Sequence, residues 1–84
     1  MLVQLVFPGA LDKFSGKYSL NNGQIWTEAI KTVLANDYNH LFDKDEKLKP
    51  FVIACLNRVI VSDIKGLKCV DGDILMLLCA TSGG

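Results

Sequence analysis

Asp71-Gly72-Asp73-Ile74-Leu75-Met76-Leu77-Leu78-Cys79-Ala80-Thr81-Ser82-Gly83-Gly84 joins a turn, an apolar strand and a pair of glycines in one run. Asp71-Gly72-Asp73 is built of turn-forming residues. Ile74 to Ala80 is apolar at every position. Such a strand is either central and covered on both faces, or half covered with an exposed apolar face. Gly83 and Gly84 lack Cβ atoms, so a chain end made of them enters clefts closed to other residues and presents an unhindered carboxylate. The pattern points to chemistry at the C-terminus, inside a partner enzyme. The plain alternative is a frayed end.

Working back from that segment, residues 51–56 form another apolar run, opened by Pro50. Asn57-Arg58 separates it from Val59-Ile60-Val61, the spacing of a tight hairpin. Asn57 tolerates the positive φ such a turn demands; Arg58 does so less readily. Ser62 to Cys69 is irregular, with a turn at Gly66. Further upstream, Trp26, Ala29, Ile30, Val33, Leu34 and Tyr38 recur at helical spacing and define one face of a helix. Glu28 lies in its first turn, where a carboxylate suits the dipole. Thr27 is the nearest N-cap residue, although that start leaves Trp26 outside the helix. The helix end is expected between Asn36 and Asn39, with His40 beyond it as a partly exposed loop residue. At the N-terminus, residues 1–7 read as a buried strand stopped by Pro8-Gly9, residues 12–16 as a turn or loop, and residues 17–20 as a short strand closed by Asn21-Asn22-Gly23. The order is β, β, α, β, β, β. It predicts an α+β domain spanning residues 1–84, a mixed sheet packed on one main helix, with a flexible tail over 80–84.

Composition narrows the function classes. With 84 residues the chain is one domain at most, and 50% of them are apolar, so some apolar surface is expected outside. Lys plus Arg equals Asp plus Glu, at nine each. With no basic stripe or arginine cluster, neither a nucleic-acid nor a membrane partner is expected. The alternating charges of 43–49 read as a solvated loop. Three cysteines, Cys55, Cys69 and Cys79, show no metal-ligand spacing with the one histidine. They read as thiols in a reducing compartment, with no metal site. Asp71 and Asp73 read as a turn rather than a metal pair. The lack of a signal-peptide pattern and of a long apolar run predicts a soluble, cytoplasmic chain. No phosphate-binding glycine loop and no nucleophile–base constellation is present, so the chain is not expected to act as an enzyme alone.

The whole pattern resembles the β-grasp fold of ubiquitin-like proteins, and within it the MoaD/ThiS family of sulfur carriers. The first strand leaves through Phe7 toward Leu11. The helix over Trp26 to Leu34 follows a glycine-containing turn. Ala54 to Val61 looks like the family's Val-Asn-Gly hairpin, and Asp71-Gly72-Asp73 stands one strand before Thr81-Ser82-Gly83-Gly84. Length places the chain nearest the small subunit of molybdopterin synthase. Two departures stand out: Arg58 where the family has Gly, and Cys79-Ala80 where prolines are common.

The resemblance implies a carrier of activated sulfur. Gly84 would be adenylated by an E1-like enzyme that uses ATP, then converted with a sulfurtransferase to a thiocarboxylate. Gly83 would let the tail thread a narrow cleft, and an extended 80–84 segment would reach roughly 15–18 Å. The sulfur would pass to a large synthase subunit in molybdopterin formation, or to another acceptor enzyme in thiamin synthesis or tRNA thiolation. No cofactor would be bound by the chain itself. The alternative is a ubiquitin-like modifier joined through Gly84 to lysines of other proteins. A third possibility is a β-grasp interaction module with no reactive tail. If Leu75 and Leu77 face the helix, Ile74, Met76 and Leu78 face outward. The resemblance adds Phe7 and Ile60 to that outer face. Phe7, Ile60, Met76 and Leu78 are therefore the expected partner-binding residues, with a dimer contact as the alternative use of the patch. Cys79, near the tail, reads as a sheet thiol, since no sequence neighbour would lower its pKa.

Overall fold

The computed structural model describes residues 1–80. Five strands form one sheet: β1 (Leu2–Val6), β2 (Gly16–Ser19), β3 (Val52–Leu56), β4 (Val59–Val61) and β5 (Ile74–Cys79). Their spatial order is β2-β1-β5-β3-β4. β1 and β5 run parallel at the centre, while β1–β2, β3–β5 and β3–β4 are antiparallel. Among the described residues there is one α-helix, α1 (Trp26–Leu34), which supplies the crossover between the two halves of the sheet. The mixed sheet on one helix is the architecture read from the sequence.

Alternation fixes which face is buried. Val3, Leu5 and Phe7 from β1 and its exit, Val52 and Ala54 from β3, and Leu75 and Leu77 from β5 are all buried. They meet Trp26, Ala29, Ile30 and Leu34, the apolar stripe of α1. Ile64, from the irregular stretch after β4, is fully buried as well and plugs the same core.

The start and end of α1 differ from expectation. Thr27 is inside the helix and buried, and Ile25 stands at the cap position with no side-chain cap. The backbone N–H of Trp26 donates instead to the carbonyl of Leu67 at 3.0 Å. A distant loop thus satisfies a helix-end donor that a local side chain normally takes. At the other end α1 stops at Leu34, Ala35 takes a positive φ of 50°, and a 3-10 turn continues over Ala35–His40. That tighter turn buries Tyr38, which stacks on Phe42 with ring centroids 4.4 Å apart. A second 3-10 segment, Gly9–Phe14, occupies the expected loop after β1 and buries Leu11.

Turns complete the frame. Asn57 and Arg58 have φ of 50° and 72°, the left-handed pair of a two-residue hairpin. Arg58 holds this conformation where glycine does so without Cβ strain.

Candidate functional site

Ladder partners share a sheet face. Val6 faces Met76, Met76 faces Cys55, and Cys55 faces Ile60, so these four form one row across β1, β5, β3 and β4. Leu78 and Ile53 make a neighbouring row, and Ile74 stands opposite Gln4 on the other side. All these residues point away from the helix, because their neighbours Leu75, Leu77 and Ala54 are buried. Ile60 is 73% exposed, Leu78 42% and Met76 38%. The structure thus brings Ile60, Met76 and Leu78 together on one outward apolar face, as expected.

Phe7 is not part of it. Its side chain is 2% exposed and lies in the core, and its N–H donates to Ser15 Oγ at 2.9 Å. Strand faces invert with a one-residue shift, and Phe7 follows Val3 and Leu5 in the inward phase. Val6 is the β1 residue that reaches the outward face. The polar Gln4 between Leu2 and Val6 is the sequence signal that marks this phase. Cys55 and Ile53, also on this face, were legible only through the register of β3 against β5.

Between these rows lies a shallow depression of about 450 Å³, walled by Val6, Cys55, Ile74 and Met76, with Gln4, Asn57 and Arg58 at its rim. No carboxylate lines it. Asp73, next to Ile74 in sequence, is buried and committed to turn hydrogen bonds. Its Oδ1 accepts from Asn57 Nδ2 at 2.8 Å and its Oδ2 from the Val70 N–H at 3.0 Å. Asp71 Oδ1 accepts from the Leu2 N–H at 2.7 Å. Both aspartates of the Asp71-Gly72-Asp73 turn thus hold backbone, consistent with a turn rather than a metal pair. Among the described residues, no cluster of three His, Cys, Asp or Glu side chains is placed to hold a metal ion.

The root of the tail is held firmly. Ala80 donates its N–H to the carbonyl of Phe51 at 2.7 Å, extending the β3–β5 pairing by one step. Gly83 and Gly84, the expected reactive end, lie outside the described residues. Cys79 is exposed beside this root, in a second depression shared with Pro8, Leu11, His40 and Phe51. His40 is itself exposed, with Nε2 3.3 Å from Asp37 Oδ1. Cys69 is buried, and desolvation, with Asp73 and Glu28 nearby, pushes its thiol up to about 11. No described helix is long and apolar enough to cross a membrane.

With this geometry in hand, the chain compares closely with several solved structures. It superposes on SAMP1, small archaeal modifier protein 1, from Haloferax volcanii with a TM-score of 0.75 at 15% identity, covering all of both chains. The fold is the β-grasp. The H. volcanii HVO 2177 protein gives a TM-score of 0.76 at 18% identity, over all of this chain and 87% of that one. Urm1 of Sulfolobus solfataricus gives 0.60 at 12% identity, over 90% of this chain and 97% of that one. No family model matches the sequence, and no curated protein does. The shared property is therefore the ubiquitin-like fold, carried by topology at low identity.

Proposed function

We propose that the chain is a ubiquitin-like sulfur carrier that works through the carboxylate of Gly84. An E1-like partner activates the terminal carboxylate with ATP. A carboxylate oxygen attacks the α-phosphorus, pyrophosphate leaves, and an acyl-adenylate forms. A persulfide sulfur from a sulfurtransferase then attacks the acyl carbon and AMP leaves. Thiol attack on the resulting disulfide bond releases the thiocarboxylate. The stored sulfur goes to an acceptor enzyme, with a large molybdopterin synthase subunit as the favoured acceptor and thiamin or tRNA thiolation as further ones. The chain supplies the carried group and a docking face, and its partners supply catalysis and bind the ATP.

The observation that carries this reading is the position of the tail root. Ala80 leaves the end of central strand β5, beside the outward apolar face, and Thr81-Ser82-Gly83-Gly84 follows in sequence. A partner seated on Met76, Leu78 and Ile60 has the tail within reach, and patches of this kind mark protein interfaces. The second reading, a modifier conjugated to lysines, is favoured by the word modifier in the name of the H. volcanii protein of the same fold.

The test is ATP–pyrophosphate exchange by the candidate E1-like enzyme of the same organism. Exchange that requires this chain and is lost on deleting Gly84 is the expected result. Exchange indifferent to the deletion refutes activation at that residue.

A further inference from the structure

Arg58 combines a conformation that its hairpin demands with two properties that it does not. Its φ of 72° is the turn's requirement, which glycine meets without Cβ strain. The side chain locking the turn belongs to its neighbour: Asn57 Oδ1 accepts from the Ile74 N–H at 2.8 Å and Asn57 Nδ2 donates to Asp73. Arg58 is exposed at the rim of the apolar depression and forms no salt bridge among the described residues. A long cationic side chain kept at a position that favours glycine, exposed and without an ion pair among the described residues, is placed for recognition.

We propose that Arg58 is a specificity-determining residue of the outward face, selecting partner segments that set an apolar side chain beside a carboxylate. The proposal rests on the docking role given above to that face. The apolar side chain enters between Val6, Cys55, Ile74 and Met76, and the carboxylate pairs with the guanidinium at the rim. Guanidinium is suited to this because its fork binds a carboxylate through two parallel hydrogen bonds and is weakly hydrated. Charge complementarity fixes the sign: the lining holds one cation and no anion, so a basic segment is repelled and a neutral one gains nothing. A second copy of this chain is a poorer occupant, since a two-fold contact over this face brings two Arg58 rims to one interface without an acid from the lining to meet them.

Short synthetic peptides test this, three of identical apolar core flanked by Asp/Glu, by Asn/Gln or by Lys/Arg. The readout is amide shifts of the ¹⁵N-labelled full chain. The expected order is acidic over neutral over basic, with the acidic peptide bound roughly fivefold tighter than the neutral one. Shifts centre on Cys55, Arg58 and Met76 and weaken as salt rises from about 0.05 M to about 0.5 M. Arg58→Lys keeps the order, Arg58→Gly abolishes the acidic preference, and Arg58→Glu reverses it. Arg58→Gly also raises the Tm by a few degrees, because glycine relieves the positive φ. Gain of stability together with loss of selectivity separates a recognition role from a structural one. Equal binding of all three peptides, no binding by any, or a concentration-dependent dimer that excludes them overturns the proposal. Loading of Gly84 without acidic selectivity refutes this inference alone. Acidic selectivity without any activation of Gly84 refutes the carrier function and leaves the recognition role standing.

Discussion

Asn57 and Asp73 join two turns that are sixteen residues apart through a 2.8 Å hydrogen bond from Nδ2 to Oδ1. The Asn57 N–H and Oδ1 are both bonded to Ile74 backbone, and Asp73 also accepts from Val70. The β3–β4 hairpin is thus clamped to the entrance of β5. Because the Gln4 N–H donates to the Asp73 carbonyl at 2.9 Å, β1 is held at the same point. The Asn-containing hairpin and the Asp71-Gly72-Asp73 turn are therefore one physical device.

Asp73→Ala removes the acceptor of the Asn57 amide and the Val70 N–H at a part-buried junction. It is expected to lower stability by about 1–3 kcal/mol. A double-mutant cycle with Asn57→Ala, read by urea unfolding, should return a coupling of about 1 kcal/mol or more. Additive effects of the two changes would show that the turns are held independently.

The strands were legible because the apolar runs 1–7, 51–56 and 74–80 are short and bounded by turn residues, Pro8-Gly9, Asn57-Arg58 and Asp71-Gly72-Asp73. What escaped was non-local. The cap of α1 is the Leu67 carbonyl, so no residue near Trp26 signals it. Ile64 looks like one apolar residue in an irregular stretch, and only the folded sheet shows that it plugs the core. Tyr38 was expected on the helix stripe, but α1 ends at Leu34 and Tyr38 is buried through a 3-10 turn after a left-handed Ala35. Phe7 was placed on the wrong face because its phase was taken from resemblance, whereas Gln4, two residues before Val6, marks the outward phase directly.

Phe7 and Met76 should therefore behave oppositely. Phe7→Ala empties a core position and is expected to cost about 3–5 kcal/mol. Met76→Asp and Ile60→Asp change exposed positions and are expected to leave Tm within a few degrees while abolishing stimulation of the E1-like enzyme. Thermal unfolding and pyrophosphate exchange measured on the same preparations check both. A folded Met76→Asp protein with full stimulation would remove the outward face from the account.

The cysteines should react in the order of their exposure. Iodoacetamide near pH 8 is expected to label exposed Cys79 first and half-buried Cys55 more slowly, leaving Cys69 untouched until the chain unfolds. Burial and the raised pKa of about 11 both suppress the Cys69 thiolate. Peptide mapping of a labelling time course gives the order, and early labelling of Cys69 in folded protein would contradict the packing described.

The 43–47 loop should loosen in acid. A hydrogen bond and charge attraction from Lys31 hold Glu46 below its ordinary 4.5. The Lys47 and Asp45 N–H groups hold Asp43 below its ordinary 3.8, with Lys47 and Lys65 adding charge attraction. Both shifts are downward, so their stabilisation is present above the ordinary values and is lost as pH falls through the lower, folded-state values. Titration followed by side-chain carboxyl resonances should place Glu46 below 4.5 and return it toward that value in Lys31→Ala. An unchanged Glu46 titration in that variant would show that Lys31 does not hold the loop.

The central claim is the chemistry of Gly84, and intact-protein mass spectrometry of the chain from its native host tests it most directly. The account predicts a species heavier by the exchange of one oxygen for sulfur, localised to Gly84 and absent when Gly84 is deleted. A carboxylate that stays unmodified even after incubation with ATP, sulfide and the E1-like enzyme would contradict it, and lysine-linked conjugates in its place would identify a modifier.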